Sequence, residues 1–131
     1  MKNFLPIQDI MLAKASTGIG SAKLVEDFKT VVLQVSAATT PTGTMKFQVS
    51  YSDEMPDFNA SQSVTNHWDY VEVVDLQDGS AIDGDTGVAW TGTADYRQFE
   101  LNTNGAKWVN AVITAYTAGA YTVKMKAYDG K

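Results

Sequence analysis

The sequence predicts an all-β protein, an antiparallel β-sandwich or jelly roll with an N-terminal arm. Three observations lead there. Apolar and polar residues alternate at period two over several runs of seven or eight residues, the pattern of a half-buried strand. Clusters of Gly, Asn, Asp, Thr and Pro, the residues that make turns, separate those runs. After residue 30 no run of ten residues keeps helical spacing, so about seven strands without helices must build the core, and closure into a barrel is the less expected outcome.

Along the chain, Ile7, Ile10 and Met11 fit a helical turn, whereas Ser21-Ala22-Lys23-Leu24-Val25 fits an edge strand. Residues 1–20 are therefore expected as an N-terminal arm or edge segment, and residues 21–131 as a single β-sandwich domain. The β-branched run Thr30 to Ser36 puts Val31, Leu33 and Val35 on one face. From Thr44 to Tyr51 the alternation is strict, with Met45, Phe47, Val49 and Tyr51 opposite Lys46, Gln48 and Ser50. Thr39-Thr40-Pro41-Thr42-Gly43 between these runs predicts a hairpin connection. Trp68 to Val74, Val88 to Thr91 and Tyr96 to Leu101 supply further strands, and Trp108 to Tyr116 with Tyr121 to Tyr128 predicts a second hairpin turning at Thr117-Ala118-Gly119. Val31, Leu33, Val35, Met45, Phe47, Val49, Val112, Val123 and Met125 are the expected core. No fixed-period repeat points to a solenoid or propeller.

Composition excludes several classes. With 131 residues, 44% apolar and 19% charged, the chain suits one folded domain, and it has no apolar run long enough for a spanning helix. Lys2 ahead of apolar residues and Ala13-Lys14-Ala15 imitate an export signal, but Pro6, Gln8 and Asp9 interrupt the greasy stretch, so synthesis in the cytoplasm is expected. Zero Cys removes disulfides, thiolate nucleophiles and Cys-based metal sites. Ten Lys plus Arg stand against fifteen Asp plus Glu, the wrong balance for neutralising phosphates, so no nucleic-acid partner is expected, and no membrane partner either. The charge is uneven: residues 1–30 carry net +1, residues 31–105 net −9 with only Lys46 and Arg97 as cations, and residues 106–131 net +3. Opposite-sign patches of that kind suit contact with a partner or with further copies.

The chain carries few signatures of catalysis or metal binding. His67 is the single His and has no second His or Cys to complete a metal shell. Ser and Thr abound without a Gly-x-Ser-x-Gly elbow, so no catalytic triad is assigned and no enzyme activity or cofactor is expected. Asp75, Asp78, Asp83 and Asp85 share a Gly-bent loop and are calcium candidates, since that cation takes six to eight oxygens. Their spacing departs from the EF-hand loop, and Asp-Gly pairs equally serve tight turns. Asp69 and Glu72 fall on opposite faces of their strand, and Asp53, Glu54 and Asp57 lie in a loop, so no pair of acids is placed for glycoside hydrolysis. Trp68 and Trp108 begin strands and read as core; together with Trp90 and six Tyr they also suit a sugar-stacking platform. Tyr51, Tyr96 and Tyr128 are candidate interface residues.

The order of these pieces carries a resemblance. Thr17-Gly18-Ile19-Gly20-Ser21, then Thr42 to Ser50, Trp68, Tyr96 to Leu101, and Lys107-Trp108-Val109 running into Thr117 to Val123, resembles small β-sandwich virion proteins of tailed bacteriophages, of the capsid decoration or cement type. The resemblance implies a non-enzymatic virion protein, made in the bacterial host cytoplasm, that stabilises the head by binding between capsid subunits. Its partners would be the major capsid protein and copies of itself in a homotrimer. The apolar residues Phe4, Leu5, Ile7, Ile10, Met11 and Leu12, with no evident place in the alternation, are the expected partner-binding segment. The competing reading is a carbohydrate- or receptor-binding β-sandwich module of a fibre, tail or cell surface.

Overall fold

The structure, a computed structural model, describes residues 4–128. It is all-β: ten strands and, among the described residues, no helix, with every pairing antiparallel. The strands are β1 (Phe4–Lys14), β2 (Gly18–Ile19), β3 (Lys23–Leu24), β4 (Thr30–Ser50), β5 (Asp69–Tyr70), β6 (Val73–Asp75), β7 (Ala81–Ile82), β8 (Val88–Thr91), β9 (Asp95–Asn102) and β10 (Trp108–Tyr128).

Two 21-residue strands, β4 and β10, form the spine and lie side by side from Thr30↔Tyr128 to Ser50↔Trp108. Both bend midway. In β4 the bend holds Thr39 at φ 63° and Thr40 at φ 50°, and β10 answers it at Gly119, with φ 109°. A Cβ at Gly119 would stand 2.7 Å from Pro41 Cα, so the two corners nest only because this residue lacks a side chain. The left-handed region costs a β-branched residue about 1–2 kcal/mol, which the flanking ladder must offset at Thr39 and Thr40.

The bends divide one sheet into two facing layers, the geometry in which long strands pass from layer to layer at corners. In the first, the early half of β4 and the late half of β10 are flanked by β9, β6 and β7 on one side and by β1 on the other. In the second, the late half of β4 and the early half of β10 are flanked by β5, β8, β2 and β3. Between the layers Phe47 meets Phe99 at 6.0 Å between ring centroids, and Trp90 meets Tyr121 edge-on at 5.4 Å. The expected hairpins at 39–43 and 117–119 are thus corrected to corners within single strands. Each half of β4 finds its partner on β10 rather than on the other half.

The expected core residues are buried, Val49 only partly. Val112 is buried on the other side of its strand: Val109, Ala111 and Ile113 face between the layers, while Asn110 and Val112 point outward. There the loop after β4 folds back as a cover, setting Phe58 at a tilt against Trp68 and Trp68 edge-on to Tyr70 at centroid distances of 6.3 and 5.0 Å. Gln48 is buried beneath it and donates through Nε2 to Phe58 O.

Within the stretch 1–20 expected as an arm or edge segment, residues 4–14 run as the edge strand β1. β1 pairs with β10 from Leu5↔Ala127 to Lys14↔Tyr121, so the helical turn suggested for Ile7, Ile10 and Met11 gives way to extended chain. A register shift between Asp9 and Met11 lets two consecutive residues, Ile10 and Met11, both reach the core.

Candidate functional site

β1 divides the candidate partner-binding residues. Ile10 and Met11 are 3% and 4% exposed and hold the strand to its own domain, and Leu5 packs partly against the same core. Ile7 and Leu12, 53% and 63% exposed, face outward. Phe4 opens the strand through its backbone register with Tyr128. Burial of Ile10 and Met11 corrects the expectation that the whole apolar segment waits for a partner. Asp9, across the ladder from Lys124, pairs with it at 3.3 Å.

Three of the four calcium candidates, Asp75, Asp78 and Asp83, spend their oxygens separately, and Asp85 enters only through its backbone N–H. Asp75 accepts from Gln77 N at 3.0 Å and pairs with Arg97, Asp78 accepts from Ser80 N and Oγ at 2.9 and 2.7 Å, and Asp83 accepts from the backbones of Asp85 and Thr86, both at 3.1 Å. These are the local turns that Asp favours. The Ser80 hydrogen bonds hold the Asp78 carboxyl below its ordinary range. No three His, Asp or Glu side chains among the described residues are grouped to hold a metal ion.

His67 Nε2 is 2.9 Å from Val64 O, within its own loop. Trp68 and Trp90 are buried, Trp90 donating through Nε1 to Asp95 Oδ1 at 2.7 Å. Trp108 is half-buried and donates to Ser52 O at 3.0 Å. Of the candidate interface tyrosines, Tyr51 and Tyr96 are exposed. Tyr51 packs its hydroxyl against Thr103 O, 3.1 Å away, beside a depression of about 470 Å³ that His67 and Trp68 also line.

A further cavity of about 370 Å³ opens at the free rim of β9. Pairing with β6 covers β9 only at Phe99 and Glu100, and Leu76 N then donates to Gln98 O before the chain leaves the rim. Exposed Leu76 and Tyr96 form its apolar walls, and Asp75, Asp95, Arg97 and Gln98 its polar ones. Asp75 is buried and would be a costly lone charge; the Arg97 guanidinium pairs with it and lies over the Phe99 ring, 5.1 Å from the centroid. Gln98 Nε2 donates to Tyr96 Oη at 3.0 Å. Sequence reasoning missed this cluster, although Arg97 was legible as one of two cations in an acidic stretch of 75 residues, 31–105.

No family model matches the chain, and no curated protein does. Among solved structures it is similar to the SPBc2 prophage-derived protein YomS, with a TM-score of 0.67 and 16% identity over 97% of this chain and 96% of that one. It is also similar to the PBSX exported protein XepA, with a TM-score of 0.64 and 14% identity, covering 97% of this chain and 39% of the longer XepA chain. At such identities the likeness is one of fold, shared with YomS nearly end to end and with one part of XepA.

Proposed function

We propose that this chain is a structural protein of a bacteriophage particle, a capsid decoration protein that binds between head subunits and catalyses no reaction. The observation that carries the reading is the near end-to-end likeness of fold to a prophage-derived protein, YomS. The geometry agrees with it. A spine of two long, mutually bent strands makes a stiff body, Asp78 and Asp83 are spent on turns, and Asp75 is paired with Arg97. β1 lies at the end of its layer, where Ile7 and Leu12 offer apolar contacts to a neighbour. On this reading the partners are the major capsid protein and further copies of the chain in a homotrimer, and the protein resides in the virion.

The test mixes the purified protein with heads of its phage assembled without it. Saturable co-sedimentation, with heads that withstand a higher temperature, is the expected result. Ile7→Asp with Leu12→Asp should abolish binding while leaving the melting temperature of the free protein unchanged. Heads that sediment without the protein at saturating concentration overturn the proposal.

A further inference from the structure

We propose that the cavity at the β9 rim is a binding site for a neutral saccharide, independent of any role in a particle. Four features of that rim carry the inference. First, Tyr96 is 54% exposed and stands beside exposed Leu76, so a flat aromatic surface and an aliphatic one are left to solvent at a cavity mouth. The C–H face of a pyranose ring is the natural complement of such a surface, since aromatic rings pair an apolar face with a polar tip.

Second, the polar groups are held in place before any ligand arrives. Arg97 is fixed on one side by Asp75 and on another by the Phe99 ring, yet a quarter of its side chain remains exposed. A guanidinium has five N–H donors, and the pair with Asp75 uses one nitrogen, leaving others for ligand oxygens. Asp95 is oriented by Trp90 Nε1–H and Tyr96 by Gln98. Preorganised donors and acceptors lower the ordering cost of binding.

Third, the charge selects the ligand. Two carboxylates, Asp75 and Asp95, stand against the single guanidinium of Arg97, so a carboxylate or phosphate ligand meets net negative charge. A polyol, which donates to carboxylates and accepts from guanidinium, meets none of that repulsion. Fourth, about 370 Å³ lies at the small end of ligand pockets, of a size for one or two sugar rings rather than for a long polymer cross-section.

The experiment is a two-dimensional amide NMR titration of the full chain. The probes are glucose, galactose, mannose, N-acetylglucosamine and their β-linked disaccharides, with N-acetylneuraminic acid as the anionic comparator. At least one neutral sugar should shift the amides of Leu76, Tyr96, Arg97 and Gln98 saturably, with a Kd of about 1 mM. Tyr96→Ala should weaken that binding about tenfold with an unchanged melting temperature. Arg97→Lys, which keeps a positive charge beside Asp75 but removes the planar fork, should weaken it as well. The inference is overturned if no neutral sugar in the set shifts these amides, if the anionic sugar binds in preference, or if the shifts survive Tyr96→Ala at full affinity.

Discussion

The paired strands β4 and β10 and the segment 51–94 between β4 and β9 are held by different forces. In the spine, alternation buries the side of each strand that faces between the layers, and the two 21-residue strands pair along their length, with register shifts only around the corners between Ile113 and Ala120. The middle segment contains only the short strands β5 to β8, none longer than four residues. Its turns are held by side chain to backbone hydrogen bonds within two or three residues, as at Asp57, Ser63, Asp78 and Asp83. A strand ladder with a buried face is cooperative, because each side chain is placed by neighbours distant in sequence. Asx and Ser turns are local and stand or fall one at a time. Tolerance should follow the same division: the spine should transmit any defect, and the exposed turns of the middle segment should absorb it, whereas Val73, Val88 and Trp90 in that segment belong to the core.

The largest expected effect tests whether β1 belongs to the spine. Deleting residues 1–12 removes Ile10 and Met11 from the core and strips the edge of β10. Burial losses of about 2–5 kcal/mol at each side chain approach the whole stability of an ordinary domain. Loss of the cooperative melting transition is the expected outcome; a truncated protein that still melts cooperatively would place β1 outside the cooperative unit.

Next, Phe47→Ala should cost about 3–5 kcal/mol in denaturant unfolding, because the ring is buried against Phe99 at the centre of the sandwich. Val64→Ala in the middle segment, at a site 92% exposed, should change stability by less than about 0.5 kcal/mol. Equal costs at the two sites would erase the distinction.

Glycines sharpen the same contrast. Gly119→Ala combines a left-handed φ with backbone contact at Pro41 and should cost about 3 kcal/mol, whereas Gly79→Ala, at φ 76° in open space, should cost about 1 kcal/mol. Thermal melts of the two variants measure the difference.

The smallest effect is alkaline. Burial raises the phenol pKa of Tyr121, in the spine, above its ordinary 10.0, and nearby Tyr116 adds to the rise. An unfolded chain then loses this proton before the folded one does, so the contribution is intact below pH 10 and stability falls as pH rises from there toward the folded pKa. Tyr70, raised by burial and by the Asp85 charge, acts in the same direction. Unfolding midpoints between pH 8 and 11 should decline, and Tyr121→Phe should flatten part of that decline.

Much of this fold is legible in the chain itself. Strand identity at 30–36, 44–50 and 96–101 follows from period two, because alternation sorts side chains to two faces whatever the partner. The Asp-Gly loop reads as turn chemistry because Asp bonds to backbone only two or three residues away. What escaped was long-range. Thr39-Thr40-Pro41 and Thr117-Ala118-Gly119 carry the residues of hairpin turns, and nothing local distinguishes a reversal from a corner. That choice rests on β10 lying beside both halves of β4 and on Pro41 nesting against Gly119.

The same holds for the sites. Six apolar residues near the N-terminus looked alike, and the register of β1 on β10, with its shift at Asp9/Met11, turned Ile10 and Met11 inward and left Ile7 and Leu12 outside. Asp75 and Arg97 lie 22 positions apart and meet only because β6 and β9 are neighbours. The all-β class, the residues that alternate toward a core and the turns at Asp78 and Asp83 could all be read from the chain, since these depend on geometry within a few residues. The corners, the division of β1 and the cavity at the β9 rim emerge with the assembled fold, because each depends on contacts between segments far apart in sequence whose nearness in space no local pattern encodes.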